Sequence, residues 1–251
     1  FDGKTTLEAL NRLNQLSKNQ KPFFLAVGFV KPHLPFNAPK KYWDLYDHSK
    51  IQLPGNPNQP TNAPPKAKHA FGELRKFDGI PKNPLPVSDS MARKLIHGYY
   101  ACVSYIDAQI GILLEGLDNL NLSENTIVFI LGDHGWSLGE HGLWAKHSPF
   151  DLATRTPLIV RTPEHLNETY KSGRAHGLVE FIDIFPTIME LVDLAELDQL
   201  DGKSFVEQLK DPLSDGKEVV FPRWSIAEII KTDQYSYTAV SYTNLTLPTK
   251  T

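Results

Sequence analysis

The apolar run Thr126-Ile127-Val128-Phe129-Ile130-Leu131 stops abruptly at Gly132-Asp133-His134-Gly135-Trp136. A short, continuous apolar segment rich in β-branched and aromatic residues reads as a strand covered on both faces. A charged pair at the carboxyl end of such a strand stands where open α/β sheets place their chemistry. The next residues, Gly139-Glu140-His141-Gly142-Leu143-Trp144-Ala145-Lys146, add further ligands, acids and bases to one loop.

Elements on either side fit the same architecture. Leu7, Leu10, Leu13 and Leu16 line one side of a helix over Thr5 to Leu16, with Asp2 and Thr5 available as caps. Phe23-Phe24-Leu25-Ala26-Val27-Gly28-Phe29 reads as a second buried strand, running into Lys31-Pro32-His33-Leu34-Pro35-Phe36. From Asn37 to Ser88 prolines recur and periodicity is lost, as in a long functional excursion over the surface. Helical spacing returns from Met91 to Leu120 and carries Cys102 toward the core. Pro157-Leu158-Ile159-Val160 is a further short strand, and Phe181 to Leu194 an amphipathic helix with Pro186 in its first turn. Strand, helix, strand in this order predicts an α/β fold with a mostly parallel sheet and helices on both faces. Beyond Val219 the chain turns strand-like, and Tyr235 to Val240 resembles one arm of an antiparallel pair.

Composition narrows the function classes. The 251 residues are 41% hydrophobic and 22% charged, enough for one sizeable core. A formal net charge of −3 offers no basic field for a polyanion, so nucleic acid is not an expected partner. The longest apolar runs fall short of the ~20 residues that cross a bilayer, so no membrane span is expected. The single cysteine excludes an internal disulfide, and its helical, buried position predicts an inert thiol.

Asp133 and His134 offer a carboxylate oxygen and an imidazole nitrogen that a loop can turn toward one ion. A helix cap beside a surface histidine is the alternative. Lys146 can pair an anion as a point charge or protonate a leaving oxygen, or it can simply be solvated. Glu140 and His141 read more readily as polar groups of the loop than as ligands. His33, held between Pro32 and Pro35 at a strand's carboxyl edge, is a site candidate or a structural histidine bonded to a backbone carbonyl. Lys31 has the same ambiguity.

Four blocks taken together resemble a known family. Phe23 to Gly28 with Lys31-Pro32-His33-Leu34-Pro35-Phe36, then Tyr99-Tyr100-Ala101-Cys102-Val103-Ser104-Tyr105-Ile106-Asp107, then Asp133-His134-Gly135-Trp136, then Gly139 to Lys146, are similar in order and content to the sulfatases, and within them to the iduronate-2-sulfatases and their bacterial relatives. The resemblance implies an alkaline-phosphatase-like sheet whose carboxyl edge holds one divalent ion, usually calcium, and a formylglycine made from cysteine or serine. It implies a sulfated sugar or polysaccharide as substrate and a formylglycine-generating enzyme as partner. On the same resemblance Asp133 and His134 are metal ligands. Lys146 contacts sulfate and acts as acid, His33 contacts sulfate or the leaving oxygen, and Trp136 lines the sugar pocket or serves packing alone. A periplasmic or secreted location, lysosomal in a eukaryote, is implied likewise.

The family's Cys- or Ser-x-Pro-Ser-Arg motif, its first-strand Asp-Asp pair and its Lys-x-x-His pair have no counterpart in this sequence, and Cys102 lacks the flanking Pro and Arg. In the family these parts lie upstream of the position of Phe1. The expectation is therefore a partial catalytic α/β domain over 1–225, inactive by itself. Residues 226–251 would be a tail or the start of a truncated carboxyl-terminal subdomain whose small antiparallel sheet is mostly missing. His147 stands where the iduronate enzymes carry a phenol, which alters the expected pocket. Two other readings compete: a phosphodiesterase or phosphonate hydrolase of the same superfamily, and a carbohydrate-binding protein without catalysis.

Overall fold

The computed structural model describes residues 1–19, 21–63, 67, 69–82, 85–195 and 197–240, together with the backbone of 243–245. Parts of the expected excursion (64–66, 68, 83–84) and of the tail (241–242, 246–251) lie outside the described residues. The helices are α1 (Asp2–Ser17), α2 (Lys40–Trp43), α3 (Asp89–Asn119), α4 (Asp151–Thr154), α5 (Pro163–Leu166), α6 (Ile184–Leu191) and α7 (Val206–Lys210). The strands are β1 (Val128–Leu131), β2 (Ser137–Leu138), β3 (Trp144–Ala145), β4 (Leu158–Arg161), β5 (Arg223–Trp224), β6 (Ala227–Lys231), β7 (Ser236–Val240) and β8 (Thr243–Leu245). Residues group into two compact units. The first holds Phe1–Thr61, His69–Thr126 and Trp136–Ala145, the second Asn62–Lys68, Ile127–Gly135 and Lys146–Thr251.

In the first unit α3 is the organising element. Ser88 caps it, its hydroxyl accepting from Met91 N at 3.3 Å, and its buried face includes Ala92, Ile96, Ala101 and Cys102. Ala92, Ile96 and Cys102 pack with Leu34, Phe36, Leu74 and Trp144 into one apolar core. Helix α1 lies on α3 through a face that shares Leu13 with the predicted leucine stripe, Leu10 and Leu16 being half-buried beside it. Asp2, Thr6, Ala9 and Leu13 are buried, whereas Leu7 is 62% exposed. The polar members of that face are satisfied: Asp2 Oδ1 accepts from Val30 N at 2.9 Å, Thr6 Oγ1 donates to Gln109 Oε1 at 2.9 Å, and Gly3 N donates to Tyr105 Oη at 2.9 Å. Asp2 therefore ties the segment 22–30 to α1, where the sequence suggested a cap. That segment carries no ladder among the described residues and alternates half-buried with exposed positions, Phe24 being 82% exposed. The expected strand covered on both faces is thus open on one.

In the second unit the described strands form small antiparallel sheets within the expected α/β architecture. Every strand pair among the described residues is antiparallel, β1 with β4 included, in the register Phe129 to Val160 and Ile130 to Ile159. Parallel neighbours need a crossover of a dozen or more residues, usually a helix. Between Leu131 and Leu158 the only α-helix is the four-residue α4, so the chain turns back on itself. The carboxyl-terminal region, expected to be mostly missing its sheet, forms the antiparallel meander β5-β6-β7-β8. The start of α6 is locked by Asp183, whose carboxylate accepts from Glu180 N, Lys203 N and Lys217 Nζ. Among the described residues no helix is long and apolar enough to cross a membrane.

Candidate functional site

The Asp133-His134 turn is clamped by the segment that precedes β4. Gly132 N donates to Pro157 O at 3.1 Å, Thr156 Oγ1 to His134 O at 3.3 Å, and Gly135 N to Ala153 O at 2.9 Å. Gly135 makes this possible: a β-carbon there would lie 2.0 Å from the Leu152 carbonyl oxygen and 2.3 Å from that of Arg155. Only glycine lets the backbone approach α4 so closely. The glycine of the Asp-His-Gly triplet is therefore structural, and it fixes where the two polar side chains begin.

His134 Nδ1 lies 2.8 Å from the Gly135 carbonyl oxygen. A proton on Nδ1 satisfies that acceptor and leaves Nε2 with its lone pair, the form in which imidazole ligates metals. Nε2 faces Asp133 Oδ2 at 3.5 Å, and the Asp133 side chain is 88% exposed. A carboxylate oxygen and an imidazole nitrogen thus sit side by side, which fits part of a divalent-ion site. No group of three or more His, Cys, Asp or Glu side chains in ligating arrangement occurs among the described residues, so the pair is a partial donor set.

The loop that follows is held by its own polar groups. β2 and β3 pair Ser137 with Ala145 and Leu138 with Trp144. Glu140 Oε2 accepts from Leu138 N at 2.7 Å, Glu140 O accepts from Leu143 N at 2.8 Å, and His141 N donates to Asn56 O at 2.7 Å. The Glu140 side chain and the His141 backbone thus brace the loop. Gly139, at φ 113°, supplies a left-handed turn that few other residues adopt. Lys146 follows directly on β3, half-buried, and its carbonyl accepts from Ser148 N at 2.8 Å.

In the first unit His33 and Trp136 come together, with ring centroids 5.5 Å apart in an edge-on arrangement. Trp136 also meets Phe36 at 6.1 Å and Tyr99 at 6.2 Å, so its ring is packed among aromatics. Lys31 turns back on its own segment, donating through Nζ to His33 O at 3.1 Å and to Pro35 O, which makes it a brace for the prolyl turn. His33 Nδ1 is 3.0 Å from Leu34 O, and Nε2 is 3.0 Å from Glu73 Oε1. Glu73 was not marked by the sequence, since it sits in the non-periodic excursion. Its neighbour Arg75 holds that excursion in shape, donating to Ala70 O, Pro81 O and Leu85 O and stacking 3.8 Å over Phe71.

Cys102 is fully buried, and burial pushes its thiol up to about 11. The thiolate is the reactive form, so this cysteine is inert, in agreement with its place in the helical pattern. The structure therefore gathers the predicted site residues in two places, His33 with Trp136 in the first unit and Asp133 with His134 in the second, while Lys146 opens the last segment of the second unit.

Comparison with known proteins bears on what these groups belong to. Iduronate 2-sulfatases of Mus musculus and Homo sapiens are 37% identical over 221 residues, covering 77% of this chain and 40% of theirs. The chain therefore spans about two fifths of the length of these relatives. The phosphonate monoester hydrolase of Silicibacter pomeroyi superposes with a TM-score of 0.77 at 24% identity, over 94% of this chain and 50% of that one. A protein solved with its substrate D-glucosamine-2-N,6-O-disulfate gives 0.79 at 18% identity, over 97% and 61%. These likenesses establish the alkaline-phosphatase-like fold, its sheet represented among the described residues by antiparallel pairs. With the sulfatase profile matching residues 1–194, the chain belongs to the sulfatase family.

Proposed function

We propose that the whole protein hydrolyses sulfate esters of a sulfated carbohydrate, in the manner of an iduronate-2-sulfatase. The observation that carries the reading is the Asp133-His134 pair, a carboxylate oxygen and an imidazole nitrogen 3.5 Å apart at the end of β1, in a chain of this family. Similarity to iduronate 2-sulfatases and to a protein bound to a disulfated glucosamine supports a sulfated sugar as substrate.

In this reading Asp133 and His134 hold one divalent ion, taken to be calcium. The ion and a formylglycine nucleophile would supply charge stabilisation and attack at sulfur when present. Lys146 binds the sulfate as a compact cation and holds a proton on Nζ for the departing alcohol oxygen. His33 donates to a sulfate oxygen or to the leaving oxygen, and Trp136 offers an aromatic wall to the sugar. Clamping of the turn at Gly135 fixes the backbone from which Asp133 and His134 project, so less ordering is left to the moment of binding. A formylglycine-generating enzyme is the processing partner, and export to the periplasm, the medium or a lysosome follows the same reading.

The test is turnover of a chromogenic aryl sulfate by the whole protein, coexpressed with a formylglycine-generating enzyme, against the matching aryl phosphate. Preference for sulfate is expected. Preference for phosphate would replace the reading with a phosphodiesterase or phosphonate hydrolase, and turnover of neither, sulfated oligosaccharides included, would leave a carbohydrate-binding protein.

A further inference from the structure

His33 has two ring nitrogens and both already face acceptors, Leu34 O at 3.0 Å and Glu73 Oε1 at 3.0 Å. Both contacts are hydrogen bonds only when the ring carries both protons. The two acceptors differ in how easily they can leave. Leu34 O belongs to the backbone between Pro32 and Pro35, in a turn further braced by Lys31 Nζ. Glu73 Oε1 is the end of a side chain with three rotatable bonds, on a loop that Arg75 holds independently through three carbonyls. An incoming group that is to accept from His33 at Nε2 therefore competes with Glu73 Oε1.

We propose that Glu73 is a specificity-determining residue: its carboxylate occupies the His33 Nε2 donor, and only an anionic substrate group displaces it. The inference rests on the reading of His33 as a sulfate contact. A neutral sugar hydroxyl accepts more weakly than a carboxylate from a charged donor and cannot exchange for it evenly, whereas a sulfate oxygen carries charge of its own. Glu73 thus screens for anions at a position where an uncovered N–H donor would also take water or hydroxyls. A catalytic Glu-His dyad is a different matter, because the second ring nitrogen faces the carbonyl of the adjacent residue and is not available to a reacting atom.

The experiment is calorimetric titration of the whole protein with sodium sulfate at fixed ionic strength, for wild type, Glu73→Gln, His33→Gln and the double variant. Glutamine keeps the shape of Glu73, and the loop is held by Arg75, so folding is preserved. The expected result is sulfate binding about five-fold tighter in Glu73→Gln, the scale of one half-exposed ion pair removed from competition. That gain should vanish in the His33→Gln background, as a coupled pair requires. Weaker binding in Glu73→Gln would overturn displacement and leave Glu73 a support for the ring. An equal gain in both backgrounds would reduce the effect to a change in net charge and also overturn it. Unchanged sulfate affinity in His33→Gln alone would instead remove His33 from the sulfate site, a failure of the underlying reading that is separately visible.

Discussion

Replacing Asp183 by alanine removes the acceptor at the start of α6 and tests how the second unit is held. The carboxylate is 1% exposed and takes three donors: Glu180 N at 2.8 Å, Lys203 N at 2.8 Å and Lys217 Nζ at 2.7 Å. Alanine strands two backbone N–H groups at about 1–2 kcal/mol each. Lys217 keeps Glu180 Oε2 at 2.7 Å, so its charge stays partly paired and its loss is smaller, about 1 kcal/mol. The sum, about 3–5 kcal/mol, agrees with the usual cost of breaking a buried ion pair from one side. Urea unfolding followed by far-UV circular dichroism reads it. With m of about 2 kcal/mol/M, the midpoint of the transition should fall by roughly 1.5–2.5 M. Asp183→Asn should recover only part of this, since its amide nitrogen meets donors. A loss below about 1 kcal/mol would refute the reasoning, because the donors would then exchange Asp183 for water at little cost.

Other outcomes follow from single contacts. Gly135→Ala should destabilise by about 2–4 kcal/mol in the same assay and displace the Asp133-His134 turn in a crystal structure, because its β-carbon meets two backbone oxygens; an unshifted turn would refute this. Cys102, its thiol pushed up to about 11, should resist a disulfide-exchange reagent at pH 8 in the native state and react fully in urea; rapid native labelling would contradict its burial. Burial works against the Lys217 charge, but hydrogen bonds and attraction to Asp183 and Glu180 outweigh it, and its pKa stands above the ordinary lysine value of 10.5. Its contribution to stability is therefore full below that ordinary value and is lost as pH rises through the higher folded value. Lys217→Met should abolish that alkaline loss, and an unchanged alkaline limb would count against it.

What could be read from the sequence depended on how local the cause is. Helix α3 announces itself through apolar spacing, and the structure starts it at Asp89 behind the Ser88 cap. Pro186 falls in the first turn of α6, as expected. Asp133 and His134 are adjacent, so their pairing needed no knowledge of the fold. The polar part of the buried face of α1 was missed, although Leu13 of the predicted stripe is buried. Asp2 and Thr6 are buried only because Val30, far along the chain, and Gln109, on α3, meet them, which no local count of leucines reveals. Antiparallel pairing of β1 with β4 was missed because two short apolar runs look alike in either direction, and the connection between them decides. Glu73 was missed for a related reason: it reaches His33 across a stretch without periodicity, and its loop is shaped by Arg75 and three carbonyls.

The measurement that tests the account most directly is divalent metal content and aryl sulfate turnover in the same preparations of the whole protein and its Asp133→Ala variant. The account predicts that the wild type binds one divalent ion per chain and turns over sulfate, and that the variant loses both. Unchanged metal content in Asp133→Ala would contradict the assignment of the Asp133-His134 pair and, with it, the chemistry proposed for the end of β1.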